Sequence, residues 1–149
     1  MLKVLAMIGI MNAYSSFTGK IDPVQLECMA RAVYSEARGE PVMGQAAVAW
    51  GIKHRMDSKD FPNQACDIIY DERFAVQFPH IKDVQIDENS AAWESAVEVS
   101  ALVWAGFVDD PIDGRRFWYN PKKAAKPRWL KMGQVKKIGN HVFYDKAEG

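Results

Sequence analysis

Two helical segments that follow each other almost without a connection constrain the fold of this chain most strongly. Apolar residues recur at helical spacing over Pro23–Arg38, and Asp22 before a proline is a typical helix start. The dipeptide Gly39-Glu40 ends this helix, and a second one is predicted over Pro41–Met56. The connection is very short and the second helix is rich in alanine, so we expect the two helices to form a closely packed pair.

A third helix and two short strands complete the predicted fold. Asn89 or Ser90 is expected to cap a helix over Ala91–Gly106. Further on, Pro, Gly and aromatic residues alternate, and the stretches Phe117–Pro121 and Ile138–Tyr144 are predicted to pair as antiparallel strands. The predicted fold class is therefore α+β, mostly helical with a small antiparallel sheet.

The length of the chain predicts a single domain over residues 23–149, preceded by an N-terminal segment over residues 1–22. A chain of 149 residues can build one domain with a core and is too short for two comfortable ones. The apolar run Val4–Met11 is far shorter than the ~20 residues that span a bilayer, so no stable membrane span is expected. The segment is either a weak signal peptide or, more plainly, a first element that packs on the domain.

Charge is distributed unevenly along the chain, although the net charge is zero. Between Asp57 and Asp113 thirteen acidic residues stand against three Lys or Arg, whereas Gly114 to Tyr144 contains nine Lys or Arg and no acidic residue. Two interpretations follow from this pattern. The two surfaces neutralise each other, or the basic one binds an anionic polymer.

Cysteine and histidine give no sign of a metal site or a cofactor. Cys28 and Cys66 are too few for a disulfide framework, and because Cys28 lies in an apolar helical run we expect a buried thiol rather than a bridge. His54, His80 and His141 are scattered, and no His-Glu-x-x-His pattern is present. We therefore predict no metal ligands and no cofactor.

Glu36 is the acidic residue whose position points to chemistry. At about 100° per residue, it falls beside Met29, at the edge of the apolar stripe centred on Leu26. Partial burial and the negative end of the helix dipole both raise the pKa of a carboxyl group. A carboxyl that stays protonated near neutral pH can act as a general acid. Spacing alone leaves open the alternative that Glu36 forms an ion pair with Arg38 or Arg55.

Several stretches of the chain together carry a family resemblance, and they span nearly all of it, from about Leu26 to Tyr144. The stretches are Ala32–Pro41, Gly44–Ala49, Arg55, Phe74–Phe78, Tyr119–Pro121, Trp129 and Ile138–Tyr144. They resemble the SleB-type cell-wall hydrolases, a group that includes spore-cortex-lytic enzymes and phage endolysins. The opening run AVYSEARGEP is the most specific, whereas the middle stretch has Pro79 where the family usually has Ser.

The resemblance implies a lysozyme-like fold that acts on peptidoglycan glycan strands, with Glu36 as the catalytic acid. It also implies lytic transglycosylation of the bond between N-acetylmuramic acid and N-acetylglucosamine. In that reaction one carboxyl group protonates the leaving oxygen and then takes the proton of the muramic 6-hydroxyl, which closes a 1,6-anhydro ring. The residues fit this chemistry because it requires no second carboxylate.

Hydrolysis by two carboxylates remains an alternative, as does an N-acetylmuramoyl-L-alanine amidase. In hydrolysis, the second carboxyl group would lie about 5–5.5 Å from the acid in a retaining enzyme and about 6.5–9.5 Å from it in an inverting one. Glu40 is four residues after Glu36, but we expect it to cap the second helix at its N-terminus. Asp71, Glu72 and Asp83 lie in the middle segment and cannot be placed from the sequence.

The predicted substrate-binding residues combine aromatic rings, which stack on sugars, with amide and imidazole groups that can bond acetamido or hydroxyl groups. At least half of the later aromatic residues are expected in the core instead. Gln77 and Phe78 come from the resemblance, and the other candidates are Tyr119, Asn120, His141 and Tyr144.

The expected partner is the glycan strand of peptidoglycan, bound by a monomer that does not bind nucleic acid. A binding module for an anionic polymer is the non-enzymatic alternative, because it would explain the basic last third. A single catalytic domain without a wall-binding domain favours a phage endolysin released by a holin over an exported enzyme. In either setting the chain would act on the cell wall, in the periplasm or outside the cell.

Overall fold

The fold was analysed in a computed structural model, which describes residues 1–14, 20–73, 77–128, 130–131 and 134–146. Within these ranges, helices precede a small antiparallel sheet, which confirms the predicted α+β class. The helices are α1 (Leu2–Tyr14), α2 (Pro23–Ala37), α3 (Val42–Met56), α4 (Ala65–Tyr70) and α5 (Ala91–Trp104), with a 3-10 turn at Ile81–Asp83. The strands are β1 (Phe117–Tyr119), β2 (Lys136–Ile138) and β3 (His141–Tyr144).

The pair formed by α2 and α3 is confirmed, with ends within one residue of those predicted. The Asp22 side chain caps α2 by accepting hydrogen bonds from the backbone N–H of Val24 at 2.9 Å and of Gln25 at 3.4 Å. Beyond the end of α2, Gly39 adopts the left-handed conformation with φ of 84°, which turns the chain sharply into α3.

The core lies where α2, α3 and α5 meet. Alanine and glycine together make up most of the buried residues of α3, so its backbone approaches α2 and α5 closely. Ser90 caps α5 by accepting a hydrogen bond from the Trp93 N–H at 3.1 Å, and the Trp93 side chain is fully buried between the helices. The helix ends at Trp104 rather than at the predicted Gly106, because Gly106 adopts a left-handed turn with φ of 78°.

The N-terminal helix α1 packs mainly on α5 and also on α2. Val4 and Met11 provide its buried side, and Lys3 forms an ion pair of 2.8 Å with Glu94 on α5. Among the described helices, none combines the length and the apolar character needed to cross a membrane.

The sheet has the strand order β1-β3-β2, and both pairings are antiparallel. In the predicted pairing of the first and last strands, Trp118 lies opposite Phe143 and Tyr119 opposite Val142. The prediction of one strand over Ile138–Tyr144 was wrong, because Gly139, with φ of 58°, reverses the chain and makes a hairpin of β2 and β3.

The two cysteines form a disulfide, so the expectation of a buried thiol was wrong. Their Cα atoms lie 5.1 Å apart, and the bond ties the middle of α2 to the first turn of α4. The apolar surroundings of Cys28 are as expected, but α4 packs on α2 and brings Cys66 within bonding distance of Cys28. Two parts of the family resemblance, residues 74–76 and Trp129, lie outside the described residues.

Candidate active site

Glu36 lies in the last turn of α2, directly before the helix ends at Ala37. The apolar face of α2 holds Met29 and Val33 fully in the core, and Glu36 at the edge of that face is only partly exposed. The left-handed turn at Gly39 then directs the chain away from the helix end. The carboxyl group is therefore held at the border between the core and the surface, as the periodicity predicts.

Burial raises the pKa of Glu36 from its ordinary value of 4.5 to about 7, and removal of water from the carboxylate is the largest cause. The negative charge of Glu40 acts in the same direction. The Trp118 indole and the positive charges of Lys123 and Arg55 lower the pKa of Glu36. A carboxyl group with this pKa is partly protonated at neutral pH, so it can give up a proton and take one back.

Trp118 covers Glu36 from the sheet side, and a glycine makes its position possible. The ring lies against Gly51 of α3 so closely that a Cβ atom there would be 2.5 Å from Cζ3 of the indole. The indole lowers the pKa of Glu36, yet its nitrogen forms no hydrogen bond of standard geometry with a described residue. We therefore treat this contact as an N–H dipole facing the carboxyl group and not as a formed hydrogen bond.

Arg55 connects three separate parts of the chain beneath this site. Its side chain is 1% exposed, and its Nε donates to the backbone oxygen of Arg116 at 2.7 Å. Its Nη2 donates to Oε1 of Gln77, and Gln77 Nε2 donates to the backbone oxygen of Trp118 at 3.0 Å. Gln77 thus serves to fix β1 on α3 and has its polar atoms engaged inside the protein.

Aromatic rings surround the Arg55 guanidinium. Its Cζ lies 4.7 Å from the ring centre of Trp118, 4.9 Å from Phe61, 5.3 Å from Phe117 and 5.7 Å from Phe78. These distances are typical of cation–π contacts, which compensate in part for the loss of water around a buried cation. Burial lowers the pKa of Arg55 to about 10, so it still carries its charge at neutral pH and attracts the Glu36 carboxylate.

Glu40 does not cap α3, so that prediction was wrong. The N-cap position belongs to Pro41, and no side chain forms a capping hydrogen bond there. Glu40 instead turns inward with a side chain 6% exposed, and its Oε1 accepts the Asn140 backbone N–H at 2.7 Å. The tight turn at Gly139 makes room for this carboxylate, because a Cβ atom there would collide with it.

The second oxygen of Glu40 faces His141. Its Oε2 lies 3.1 Å from Nδ1 of His141, although the two atoms are not aligned for a hydrogen bond. Burial lowers the pKa of His141, while the attraction of Glu40 acts in the opposite direction. His141 is 2% exposed overall, so it positions Glu40 from inside the fold and offers little surface to a substrate.

The remaining predicted binding residues divide into partly exposed and buried ones. Phe78 is 4% exposed and packs against Trp118, so its ring has no free face for a sugar. Asn120 forms a turn in which its Oδ1 accepts the Lys122 N–H at 2.9 Å. Tyr119 and Tyr144 are both partly exposed, with ring centres 6.0 Å apart. These two tyrosines are the predicted aromatic residues that can face a sugar ring.

Tyr144 belongs to the surroundings of Arg55. Its ring stacks on Phe117 with a centre distance of 5.6 Å, and its hydroxyl interacts with the charge of Arg55. Burial raises the pKa of Tyr144 above its usual value, so the hydroxyl is protonated at neutral pH and can donate a hydrogen bond.

Arg55, Trp118 and Lys123 all act on Glu36. The sequence offered Arg55 only as a possible ion-pair partner of Glu36, and it did not indicate Lys123. A signal existed for Arg55, because it follows Gly51 and Ile52 at helical spacing and so falls on the apolar face of α3. An Arg on such a face has to find partners inside the protein. Within the described residues, no three His, Cys, Asp or Glu side chains come together in a way that could hold a metal ion.

Comparison with known proteins gives consistent matches. The family profile described as Cell Wall Hydrolase matches residues 39–144. The spore cortex-lytic enzyme of Bacillus cereus is 37% identical over 121 residues, which cover 79% of this chain and 43% of the relative. The spore cortex-lytic enzyme of Bacillus subtilis is 34% identical over 120 residues, covering 79% of this chain and 36% of the relative.

Two solved structures resemble this fold. The catalytic domain of the Bacillus cereus SleB protein has a TM-score of 0.64 at 32% identity and covers 85% of this chain and 94% of that one. The catalytic domain of the germination-specific lytic transglycosylase SleB from Bacillus anthracis has a TM-score of 0.63 at 32% identity, covering 85% and 98%. The chain thus matches nearly all of these catalytic domains but less than half of the length of the two curated relatives.

Proposed function

Because the chain belongs to the Cell Wall Hydrolase family, we propose that it cleaves the bond between N-acetylmuramic acid and N-acetylglucosamine in peptidoglycan as a lytic transglycosylase. In this proposal Glu36 is the general acid and then the general base. The observation that carries it is the pKa of about 7 at Glu36, a carboxyl group at the core border. Glu36 lies three residues before the range matched by the family profile, so its role rests on this geometry.

The proposed reaction begins with the protonated form of Glu36. It donates its proton to the glycosidic oxygen, the bond from that oxygen to C1 of the muramic residue breaks, and the N-acetylglucosamine hydroxyl leaves. The new Glu36 carboxylate is stabilised by the positive charges of Arg55 and Lys123 and by the Trp118 indole. It then accepts the proton of the muramic 6-hydroxyl, whose oxygen bonds to C1 and forms the 1,6-anhydro ring. This step returns Glu36 to its protonated form.

The surroundings of Glu40 support a mechanism with one carboxylate. Glu40 is the other carboxyl group whose charge affects the pKa of Glu36. Its Oε1 is engaged by the Asn140 N–H and its Oε2 faces His141, so it is poorly placed to activate a water molecule or to attack a sugar. Asp71 is engaged elsewhere, since its oxygens accept hydrogen bonds from Arg73. Lysozyme-type hydrolysis therefore remains an alternative outcome of the test and is not the proposal.

The biological setting of this activity is indicated by the family and its named relatives. Activity on the cell wall follows from the family, and the named relatives are bacterial spore cortex-lytic enzymes, which do not support a phage origin. Holin release, a monomeric state and the absence of nucleic-acid binding stay predictions from the sequence.

Mass spectrometry of digested peptidoglycan tests the proposed reaction. Anhydro-muropeptides are the expected product, whereas reducing muramic ends would indicate hydrolysis and free stem peptides would indicate an amidase. Glu36→Gln keeps the size of the side chain and is expected to abolish product formation. Glu98→Gln, which removes an exposed carboxylate from α5, is the matched control and should keep full activity. Unimpaired lysis by Glu36→Gln would contradict the mechanism.

A further inference from the structure

Most of the positive charge in the last third of the chain has no negative partner among the residues that the structure describes. Of the nine Lys and Arg residues between positions 114 and 144, Arg115, Arg116 and Lys136 form ion pairs with aspartates. The others form no ion pair with any residue that the structure describes. They are Lys122, Lys123, Lys126, Arg128, Lys131 and Lys137.

Four of these cations lie in the segment that follows β1, residues 120–128, which we call the cationic loop. The loop is anchored at both ends. The Asn120 carbonyl accepts the backbone N–H groups of Lys123 and Ala124 at 2.9 Å, and Leu130, 3% exposed, is buried beyond the other end. Every residue from Pro121 to Lys126 is exposed. An anchored backbone thus presents positive side chains to solvent, where an anionic ligand could reach them.

The cationic loop begins beside the candidate active site. It leaves the sheet after Tyr119, which pairs with Val142, and the next residue toward the start of β3 is His141, whose imidazole faces Glu40. Among the four cations of the loop, Lys123 is the one whose charge acts on the Glu36 carboxyl and on His141. The backbone N–H of Lys123 is held by Asn120 directly after β1, and its charge reaches both groups, so Lys123 lies at the edge of the site.

The chemistry of peptidoglycan indicates what such a cation would meet. In the intact wall, muramic acid carries a lactyl group from which a peptide stem extends, and this stem bears free carboxylates. The stem is attached to the same sugar whose C1 takes part in the proposed reaction. A positive side chain at the edge of the site is a suitable partner for a carboxylate of that stem, because the stem starts from the sugar that the site would hold.

We propose that Lys123, supported by the rest of the cationic loop, binds a carboxylate of the peptide stem, so that the enzyme prefers glycan strands that carry stems over bare strands. This inference rests on the proposed function, because it names the form of the substrate that the same site takes. It also gives the basic surface a ligand within the substrate itself rather than on a separate polymer.

The test compares three soluble glycan preparations freed of teichoic acids: strands with intact stems, strands whose stems an amidase has removed, and strands whose stem carboxylates have been converted to amides. Rates are measured at about pH 5.5, where Glu36 is protonated whether or not Lys123 is present. The variants are Lys123→Gln, Lys123→Arg and, as a matched control for the loss of one exposed positive charge elsewhere, Lys59→Gln.

We expect the wild type, Lys123→Arg and Lys59→Gln to show a KM about tenfold lower for strands with intact stems than for the other two preparations. Lys123→Gln should lose this preference through a rise in KM for strands with intact stems. Because the charge of Lys123 also stabilises the Glu36 carboxylate, any fall in kcat should be the same on all three preparations. A preference that survives in Lys123→Gln overturns the inference, as does a loss of activity that comes from kcat alone and is equal on all three preparations. An effect of Lys123→Gln that appears only when teichoic acids are left on the strands also overturns it and assigns the loop to that polymer.

The outcome separates this inference from the proposed function. If the wild type releases anhydro-products equally fast from strands with and without stems, the reaction stands and the role of Lys123 is refuted. If the wild type cleaves none of the three preparations, the proposed function fails, and the inference about Lys123 fails with it.

Discussion

Replacing the partly buried Glu36 by Gln should abolish activity and, at alkaline pH, make the protein more stable. In the unfolded chain the carboxyl group titrates near its ordinary value of 4.5, and in the folded protein its pKa is about 7. Between these values the folded state binds more protons than the unfolded state. The contribution of Glu36 to stability is therefore fully present below about pH 4.5 and is lost as the pH rises through 7.

The size of the effect follows from the two pKa values. At about 1.4 kcal/mol per pH unit, a rise from 4.5 to about 7 corresponds to about 3 kcal/mol. Glu36→Gln removes this titration, so the variant should exceed the wild type by up to about 3 kcal/mol at pH 8 and match it at pH 4. For a chain of this size, that difference corresponds to an increase of roughly 6–12 °C in Tm.

Urea denaturation at a series of pH values between about 4 and 8, followed by tryptophan fluorescence with the disulfide intact, measures this difference. The control is Glu98→Gln, whose exposed side chain on α5 should leave the pH dependence of the wild type unchanged. If the stability difference between Glu36→Gln and the wild type is the same at pH 4 and at pH 8, the carboxylate is not destabilised by burial. Glu36 would then lack the raised pKa that a general acid needs at neutral pH.

Three other perturbations give equally direct tests. Gly51→Ala places a Cβ atom 2.5 Å from Trp118, so we expect a displaced indole, a loss of about 1–3 kcal/mol in unfolding free energy and weaker lytic activity; unchanged fluorescence and stability would contradict the close packing. Activity should fall above about pH 7 as Glu36 loses its proton, and Glu40→Gln, which removes a charge that raises the pKa of Glu36, should move this fall to lower pH by less than about one unit. A pH–rate profile identical to that of the wild type would exclude that influence of Glu40. Reduction of the disulfide, which closes a sequence separation of 38 residues, should lower the unfolding free energy by about 4 kcal/mol, and urea titrations with and without reductant measure the loss. A loss below about 1 kcal/mol would show that packing alone holds α2 against α4.

Features set by neighbouring residues in the chain were predictable from the sequence. The start of α2 follows from Asp22, its end follows from Gly39, and the position of Glu36 at the core border follows from helical spacing. Each of these depends on local hydrogen bonds or on periodicity, which a sequence displays directly. The helical pair and the acid at the edge of its apolar face could therefore be predicted with their residues.

Features that depend on which elements meet in space were not predictable. The bridge between Cys28 and Cys66 needs α4 to cross α2, and no local pattern encodes that crossing. The direction of Glu40 is set by a hairpin 100 residues further on, whose Asn140 N–H holds the carboxylate. Trp118 was placed in the correct strand, but its contact with Glu36 needs the glycine at position 51 on another element.

The hydrogen bonds of Arg55 have a consequence for how this fold can vary. This one side chain holds Gln77, which is 22 residues away in sequence, and Gln77 in turn holds Trp118, which is 41 residues further on. The two intervening stretches leave and return to the same buried point, so the loops that flank α4 and α5 within them can change in length at a small cost in loop-closure entropy. We therefore expect insertions and deletions to accumulate in these loops without moving Trp118 relative to Glu36. The fold can in this way adapt its outer loops to different walls while the geometry around the acid stays constant.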